Sequence, residues 1–187
     1  MKKLIYIIIA IIAVVGVLAI LRPTTSHADG NKTLVAYFSA TGNTRGVAER
    51  LAGATGADLF EIIPETVYTD ADLDWRNQES RASIEMADKN SRPVVASVVE
   101  NLDKYETIFV GFPIWWGREP SVVDTFLSAY DFTGKTIIPF ATSGSTPSTE
   151  QAAENMRTIV SGANVLTGKR FPTDVSAEEL KNWADEQ

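Results

Sequence analysis

Short apolar runs alternate with amphipathic stretches along most of the chain. Residues 33–38 (Thr-Leu-Val-Ala-Tyr-Phe) are uncharged, β-branched and aromatic, which is typical of a buried strand. Similar runs predict further strands at 57–63, 107–112 and 136–141, and a weaker strand at 163–166. Helical spacing of apolar side chains predicts helices around 47–52, 121–130, 151–160 and 177–185. This alternation indicates an α/β fold in which helices cover both faces of a parallel sheet.

The N-terminal residues 4–21 form an uncharged apolar run behind Lys2 and Lys3. As a helix this run would be about 27 Å long, slightly shorter than a bilayer core of about 30 Å. Ser26 and Ala28 flank His27 in the small-residue pattern of a cleavage site after Ala28. A cleaved export signal and an uncleaved membrane anchor both remain open for residues 1–28. Either one predicts an extracytoplasmic location for residues 29–187, secreted or anchored to the cytoplasmic membrane.

A polar, charged stretch at residues 65–93 is longer than an ordinary connection between two strands. It contains Tyr68 and Trp75, so it is not low-complexity sequence. We expect an insertion with one or two short helices lying over an edge of the sheet. Two interpretations stay open: a surface insertion packed around Trp75 as its own small core, or a cover for a ligand or partner site.

Composition narrows the chemistry of the domain predicted at residues 29–187. It contains no cysteine, and the single histidine, His27, lies before it, which excludes disulfides, thiolate nucleophiles, Ser–His dyads and His/Cys metal sites. Removing Lys2, Lys3 and Arg22 with the leader changes the formal net charge from −7 to −10. Such an acidic domain argues against nucleic-acid binding and favours a protein partner with a basic docking surface. We expect the domain to be a monomer.

The loop between the first predicted strand and helix reads Ser39-Ala40-Thr41-Gly42-Asn43-Thr44. Its hydroxyls and backbone amides can donate hydrogen bonds to a phosphate, and the helix N-terminus adds about half a positive charge. Gly42 lets the backbone bend around an anion. Neither the dinucleotide fingerprint nor the nucleoside-triphosphate loop is present. The loop therefore predicts a site for a terminal monophosphate; an ordinary strand-to-helix turn is the alternative.

Distinctive loops also follow the third and fourth predicted strands. Pro113-Ile114-Trp115-Trp116-Gly117 offers a flat apolar wall, and Thr142-Ser143-Gly144 lets backbone amides approach a polar ring edge. Ligands of open parallel sheets lie beyond the carboxyl ends of the strands, so the three loops are expected to form one site. That combination suits a phosphorylated, planar aromatic molecule such as FMN.

With these three loops in this order, the sequence resembles the flavodoxin family over about residues 32–187. It is most similar to the subgroup with an Asp-Leu-Asp-Trp-Arg insert, here Asp72 to Arg76. The resemblance implies a flavodoxin-like sheet of order 2-1-3-4-5, tightly bound FMN and electron transfer. It assigns the phosphate to Ser39, Thr41, Gly42, Asn43 and Thr44, the isoalloxazine to Pro113, Ile114, Trp115, Trp116 and Gly117, and its polar edge to Thr142, Ser143 and Gly144.

The sequence departs from the family where many flavodoxins present a second aromatic, because the loop 142–146 has none. Flavin stacking is then one-sided, or it uses Trp75 or Tyr68 from the insertion. Either Trp115 or Trp116 could instead cap the sheet.

Three functions remain open. The first is an FMN-containing electron carrier that serves a partner protein, which needs no catalytic side chain. The second is an FMN-dependent oxidoreductase that takes hydride directly from NAD(P)H for a quinone or similar acceptor. The third is a membrane-tethered module that binds a flavin or another phosphate ligand without redox turnover. The sequence favours the first and leaves open whether the protein is an enzyme.

Overall fold

The computed structural model describes residues 32–142 and 148–187. The predicted leader at 1–28 and the predicted site residues Ser143 and Gly144 lie outside the described residues. In chain order the elements are β1 (Thr33–Tyr37), α1 (Asn43–Thr55), β2 (Asp58–Glu61), α2 (Arg81–Ala87), a 3-10 turn (Leu102–Lys104), β3 (Thr107–Pro113), α3 (Ser121–Ser128), β4 (Thr136–Thr142), α4 (Glu150–Ile159), β5 (Asn164–Val165), β6 (Lys169–Phe171) and α5 (Ala177–Asp185).

The strands form a parallel sheet in the order β2-β1-β3-β4-β5. This order confirms the flavodoxin-like α/β fold expected from the resemblance. β1 and β3 are neighbours, and β3 pairs with β4 along its whole length, up to Pro113 opposite Thr142. The carboxyl ends of β1, β3 and β4 therefore lie side by side, and the three predicted loops leave the sheet at one edge.

The central strands are apolar because both faces of the sheet are covered. In β1, Leu34 and Ala36 join a core with side chains of α3 and α4, whereas Val35 and Tyr37 join a second core with α1 and α5. Successive strand residues point to opposite faces, so a strand buried on both faces is a nearly continuous apolar run. Trp183 of α5 closes the second core, with its ring centroid 5.0 Å from that of Phe171.

The fifth strand is split into β5 and β6, of which the sequence predicted only the first. Leu166 N donates to Ile137 O at 2.9 Å, so odd-numbered residues of β4 face this edge strand. Pro139 faces it too and has no N–H to donate. Opposite Pro139, Gly168 has a φ of +76°, and a Cβ there would lie 1.9 Å from the Pro139 carbonyl oxygen. The ladder breaks at this point and resumes at Lys169 opposite Phe140.

The insertion at 65–93 contains the expected short helix, α2, whose first turn is capped by Ser80. The prediction that Trp75 forms a core of its own is wrong, because this side chain is 71% exposed. Tyr68, Ala82 and Met86 are the buried apolar residues of the insertion instead, and the helix cap Ser80 is buried with them. The indole is thus left at the surface, beside the loops described below.

Among residues 32–142 and 148–187, no helix combines the length and apolar character needed to cross a membrane.

Candidate functional site

The loop after β1 presents an uncapped helix N-terminus. Gly42 precedes α1 with φ 86° and ψ −14°, a left-handed conformation that favours glycine, and it supplies no side-chain cap. The first amide bonded within the helix is that of Gly46, which donates to Gly42 O at 3.1 Å. Among the described residues the amides of the first turn therefore have no backbone acceptor and remain available, and Thr41, Gly42 and Asn43 are all exposed. Free amides at a helix N-terminus form an anion site.

Ser39 adds a donor that has no partner within the described part of the chain. Its Oγ atom is buried and makes no hydrogen bond. Buried hydroxyls are normally satisfied, so an unpaired one beside a free helix N-terminus indicates a missing acceptor. The hydroxyl and the amides together fit an anion with several oxygens.

Thr44 has a different environment from the rest of the loop. It is 1% exposed, and its Oγ1 lies 2.8 Å from Oγ1 of Thr142, which is also buried. One hydroxyl donates to the other, so only the accepting hydroxyl keeps its hydrogen for a further acceptor. The pair joins the start of α1 to the end of β4. Direct phosphate binding by Thr44 stays a prediction.

The loop after β3 folds back as a two-residue hairpin, here called the tryptophan hairpin (residues 115–118). Trp115 and Arg118 exchange two backbone hydrogen bonds of 2.9 and 3.0 Å. Trp116 (φ 46°) and Gly117 (φ 86°) form the turn, as a type I′ turn requires. A left-handed conformation is unfavourable for a bulky side chain, by about 1–2 kcal/mol. Such strain is typical of sites where a side chain must point in a set direction.

The two adjacent tryptophans have separate environments. Trp115 is half-buried and packs edge-to-face on Phe38 and Tyr68, with centroid distances of 5.7 and 5.3 Å. Trp116 is 53% exposed at the tip of the hairpin. The Tyr68 hydroxyl donates a hydrogen bond to the Glu85 carboxylate. Burial and this carboxylate raise the pKa of Tyr68, so Tyr68 packs on Trp115 as a neutral phenol. Trp115 is thus part of the core wall, and Trp116 is the freer aromatic surface.

A cavity of about 580 Å³ connects the loops, and we call it the loop cavity. It is lined by Thr41, Asn43, Pro113, Ile114, Trp115, Thr142, Arg170, Phe171, Pro172 and Thr173. The first six of these are predicted site residues. Ser39, Gly42, Thr44, Trp116 and Gly117 neighbour them in the chain without lining the cavity.

The last four residues of that lining, 170–173, come from β6 and the turn after it, which the sequence interpretation missed. Gly168 followed by the alternation Lys-Arg-Phe was the available signal, because it marks a strand resuming after a close backbone approach.

A second cavity of about 410 Å³, here the tryptophan cavity, lies between the insertion and the hairpin. It is lined by Leu73, Trp75, Ala82, Ile114, Trp115 and Trp116. Ile114 and Trp115 line both cavities, so the two adjoin. The insertion therefore contributes an exposed indole beside the predicted cofactor loops.

The comparisons with known proteins agree with this geometry. Residues 32–187 match the model of a protein family described as Flavodoxin. A candidate flavoprotein from Bacteroides uniformis ATCC 8492 is 46% identical, with 83% of this chain and 99% of that chain covered and a TM-score of 0.78. A candidate flavoprotein from Bacteroides eggerthii DSM 20697 is 41% identical over 83% and 96% of the two chains, also with a TM-score of 0.78.

A more distant structure, a flavoprotein in complex with FMN from Lactobacillus acidophilus NCFM, shares the fold. It is 23% identical, covers 82% of this chain and 99% of its own, and has a TM-score of 0.62. The search of curated proteins found no match.

Proposed function

The chain belongs to the flavodoxin family, and on that premise we propose that it binds FMN and carries electrons to a partner protein on the outer side of the cytoplasmic membrane. The observation that carries the proposal is the uncapped N-terminus of α1 beside the unpaired Ser39 hydroxyl, at one end of the loop cavity.

The residues present fit FMN as the cofactor. A phosphate monoester needs several donors, and the amides at the start of α1 with the hydroxyls of Ser39 and Thr41 supply them without a lysine. Hydrogen bonds to a charged group contribute roughly 1.5–3 kcal/mol each, so four or five can offset the roughly 4–15 kcal/mol cost of association. The Lactobacillus acidophilus flavoprotein of this fold, solved in complex with FMN, supports the same choice.

When bound, FMN supplies the redox chemistry, and the protein supplies binding and orientation. The start of α1 holds the phosphate. Pro113, Ile114 and Trp115, which line the loop cavity, would bind the apolar ring, and Phe171 belongs to the lining on the β6 side. The Ile114 amide donates to the Thr142 carbonyl at 3.0 Å, which keeps the β3 and β4 loops at a constant separation.

The partner and the location follow from charge and from the leader. The formal net charge of the chain is −7, so an acidic surface would steer a partner with a basic docking face. Lys2, Lys3 and the apolar run at 4–21 deliver residues 29–187 across the cytoplasmic membrane, with or without cleavage after Ala28. We propose that the carrier is a monomer.

A second function, direct reduction by NAD(P)H for a quinone or similar acceptor, is favoured by one observation. The tryptophan cavity opens beside the loop cavity and offers Trp75 and Trp116, both well exposed, as surfaces for a planar acceptor.

The two functions separate in one cuvette. The full chain is purified, its visible spectrum is recorded, and any released chromophore is identified by mass. NADPH is then added alone, and afterwards together with a flavodoxin reductase. The carrier predicts slow bleaching with NADPH alone and fast bleaching with the reductase, whose rate falls as salt screens the docking charges.

Fast turnover with NADPH alone would instead establish the oxidoreductase. A chain that stays colourless after incubation with excess FMN contradicts both functions.

A further inference from the structure

Two carboxyl groups are buried together behind the tryptophan hairpin. Glu119 follows the hairpin and is 0% exposed, and Asp124 on α3 is 1% exposed. From α4, the side-chain amide of Asn155 donates to Oε1 of Glu119 and lies 3.5 Å from Oδ1 of Asp124. The hairpin, α3 and α4 therefore meet at this pair.

The positive charge around the pair is directed mainly at Asp124. Nη1 of Arg118 lies 2.9 Å from Oδ2 of Asp124 and 3.8 Å from Oε1 of Glu119. Arg92 is 3.9 Å from the same Asp124 oxygen and is 37% exposed. Within the described ranges, the ion pairs bring Arg118 to both carboxyls and Arg92 to Asp124 alone. One well-placed cation therefore faces two carboxyls.

The second oxygen of Glu119, Oε2, is buried and accepts no hydrogen bond from the described residues. An ionised carboxylate in this position would leave a desolvated charge unmatched, which is strongly unfavourable. A protonated Glu119 removes that cost, because its hydroxyl can donate to the neighbouring Asp124 carboxylate. Burial, then the nearby Asp124, raises the pKa of Glu119 to about 9, and burial also raises the pKa of Asp124.

We propose that Glu119 and Asp124 share one proton in the folded protein, and that this singly charged pair acts through Arg118 to position the tryptophan hairpin at the cofactor site. The inference rests on the proposed FMN site for its consequence, but not for the shared proton itself.

The connection from the pair to the hairpin is short. The guanidinium of Arg118 bonds to Asp124 and, more weakly, to Ser121 Oγ at 3.3 Å, while its backbone exchanges two hydrogen bonds with Trp115. Arg118 is thus fixed at both ends. Loss of the shared proton places two negative charges beside one arginine, which favours separation of the carboxyls and movement of Arg118. Trp116, held in its left-handed turn, moves with it.

Infrared spectroscopy of the full chain without FMN tests the proton directly. We expect the carbonyl stretch of a protonated carboxylic acid near pH 7, lost at high pH, and absent at both pH values in Glu119→Gln. Glu106→Gln is the matched control, since Glu106 is an exposed partner of Lys32 before β3, at the far edge of the sheet. It should leave the band unchanged.

The dissociation constant for FMN, measured by flavin fluorescence against pH, tests the positioning. Binding that requires the proton weakens by up to about tenfold per pH unit above the pair's titration. Glu119→Gln keeps a neutral donor for Asp124, so its affinity should equal that of the unmodified chain near neutral pH and stay flat above it. Ionisation of the flavin ring itself is common to both proteins and cancels in the comparison.

The results separate the two proposals. An infrared band that is missing in the unmodified chain, or that persists in Glu119→Gln, overturns the shared proton, whatever the result of the FMN affinity measurement. A band that behaves as expected, with the same pH slope of FMN affinity in both proteins, overturns the positioning role. If Glu119→Gln does not fold, the pH dependence of the band in the unmodified chain still decides the first point. In that case Asn155→Ala, which removes the amide facing both carboxyls, tests the second by a changed pH slope.

Discussion

The hydroxyl oxygens of Thr44 and Thr142 lie 2.8 Å apart in the buried space between α1 and β4. Thr44 lies in the first turn of the helix after the first loop, and Thr142 is the last residue of the strand before the third loop. The contact therefore joins the start of α1 to the end of β4 through two residues that are 98 positions apart in sequence. A site assembled before its ligand arrives loses less entropy on binding.

Replacing Thr44 with valine should destabilise the protein by about 1–3 kcal/mol, because the Thr142 hydroxyl is left buried without a partner. The double variant Thr44→Val with Thr142→Val should lose less than the sum of the single variants, since it leaves no orphaned hydroxyl. Urea unfolding of the three proteins gives the free energies. Additive losses would show that the two hydroxyls do not interact.

Replacing Ser39 with alanine should have opposite effects on stability and on affinity. The hydroxyl is buried without a partner when no ligand is bound, so its removal should leave the free energy of unfolding unchanged or slightly higher. FMN affinity should fall by roughly 1.5–3 kcal/mol, the value of a hydrogen bond to a charged group. Ser128→Ala is the control: among the described residues, this exposed serine at the end of α3 bonds only to the Asp124 carbonyl oxygen one turn earlier, so its replacement should change neither stability nor FMN affinity appreciably. A Ser39→Ala protein with unchanged affinity would remove this residue from the phosphate site.

The two tryptophans of the hairpin should respond differently to truncation. Trp115→Ala removes the edge-to-face contacts with Phe38 and Tyr68 and should destabilise the protein, by less than the roughly 3–5 kcal/mol of a fully buried tryptophan because Trp115 is half-buried. Trp116→Gly should raise the stability of the FMN-free protein by about 1 kcal/mol, because glycine relieves the left-handed backbone. Thermal unfolding distinguishes them. Equal losses at both positions would contradict the separation into a core wall and a free surface.

The free energy of unfolding should decrease as the pH rises from about 5 to about 9, because Glu119 loses its proton over this range. The pKa of Glu119 is raised from 4.5, the ordinary value of a glutamate side chain, to about 9 in the folded protein. The folded state therefore holds the proton more tightly than the unfolded state. That contribution is fully present below the ordinary pKa and is lost as the pH approaches the raised one. The lowered pKa of Asp58, caused by hydrogen bonds from Lys104 and Tyr105, acts in the acid range instead. The denaturant midpoint should fall with rising pH in the unmodified chain and change less with pH in Glu119→Gln. Parallel curves for the two proteins would contradict the assignment of the raised pKa to Glu119.

Much of the fold follows from local pattern. β1, β3 and β4 are uncharged because both sheet faces are covered, and this appears in the sequence as continuous apolar runs. α1 ends where Gly56 predicts, and α5 begins where Ser176 predicts. Both positions are readable from the sequence because a left-handed C-cap and a side-chain N-cap depend only on neighbouring residues. The order of the strands came from the family resemblance, because pairing between distant strands leaves no local signal.

The site was less predictable, because its remaining parts depend on contacts between distant residues. Glu119 and Asp124 look like solvated charges in the sequence, and only Asn155 and Arg118 in three dimensions show them as a buried pair. Trp75 is a large apolar residue of the kind usually found in a core, but it is exposed beside Trp116. No periodicity in the sequence indicates this exposure.

Pro139 and Gly168 bear on how this protein behaves at high concentration. An exposed edge strand offers unpaired backbone groups that a neighbouring molecule can extend into a fibril. Here the edge beside β4 consists of pieces of two and three residues, separated by the break opposite the proline. Each piece is too short to act as a template, so the interruption that positions residues 170–173 also protects this side of the sheet from self-assembly.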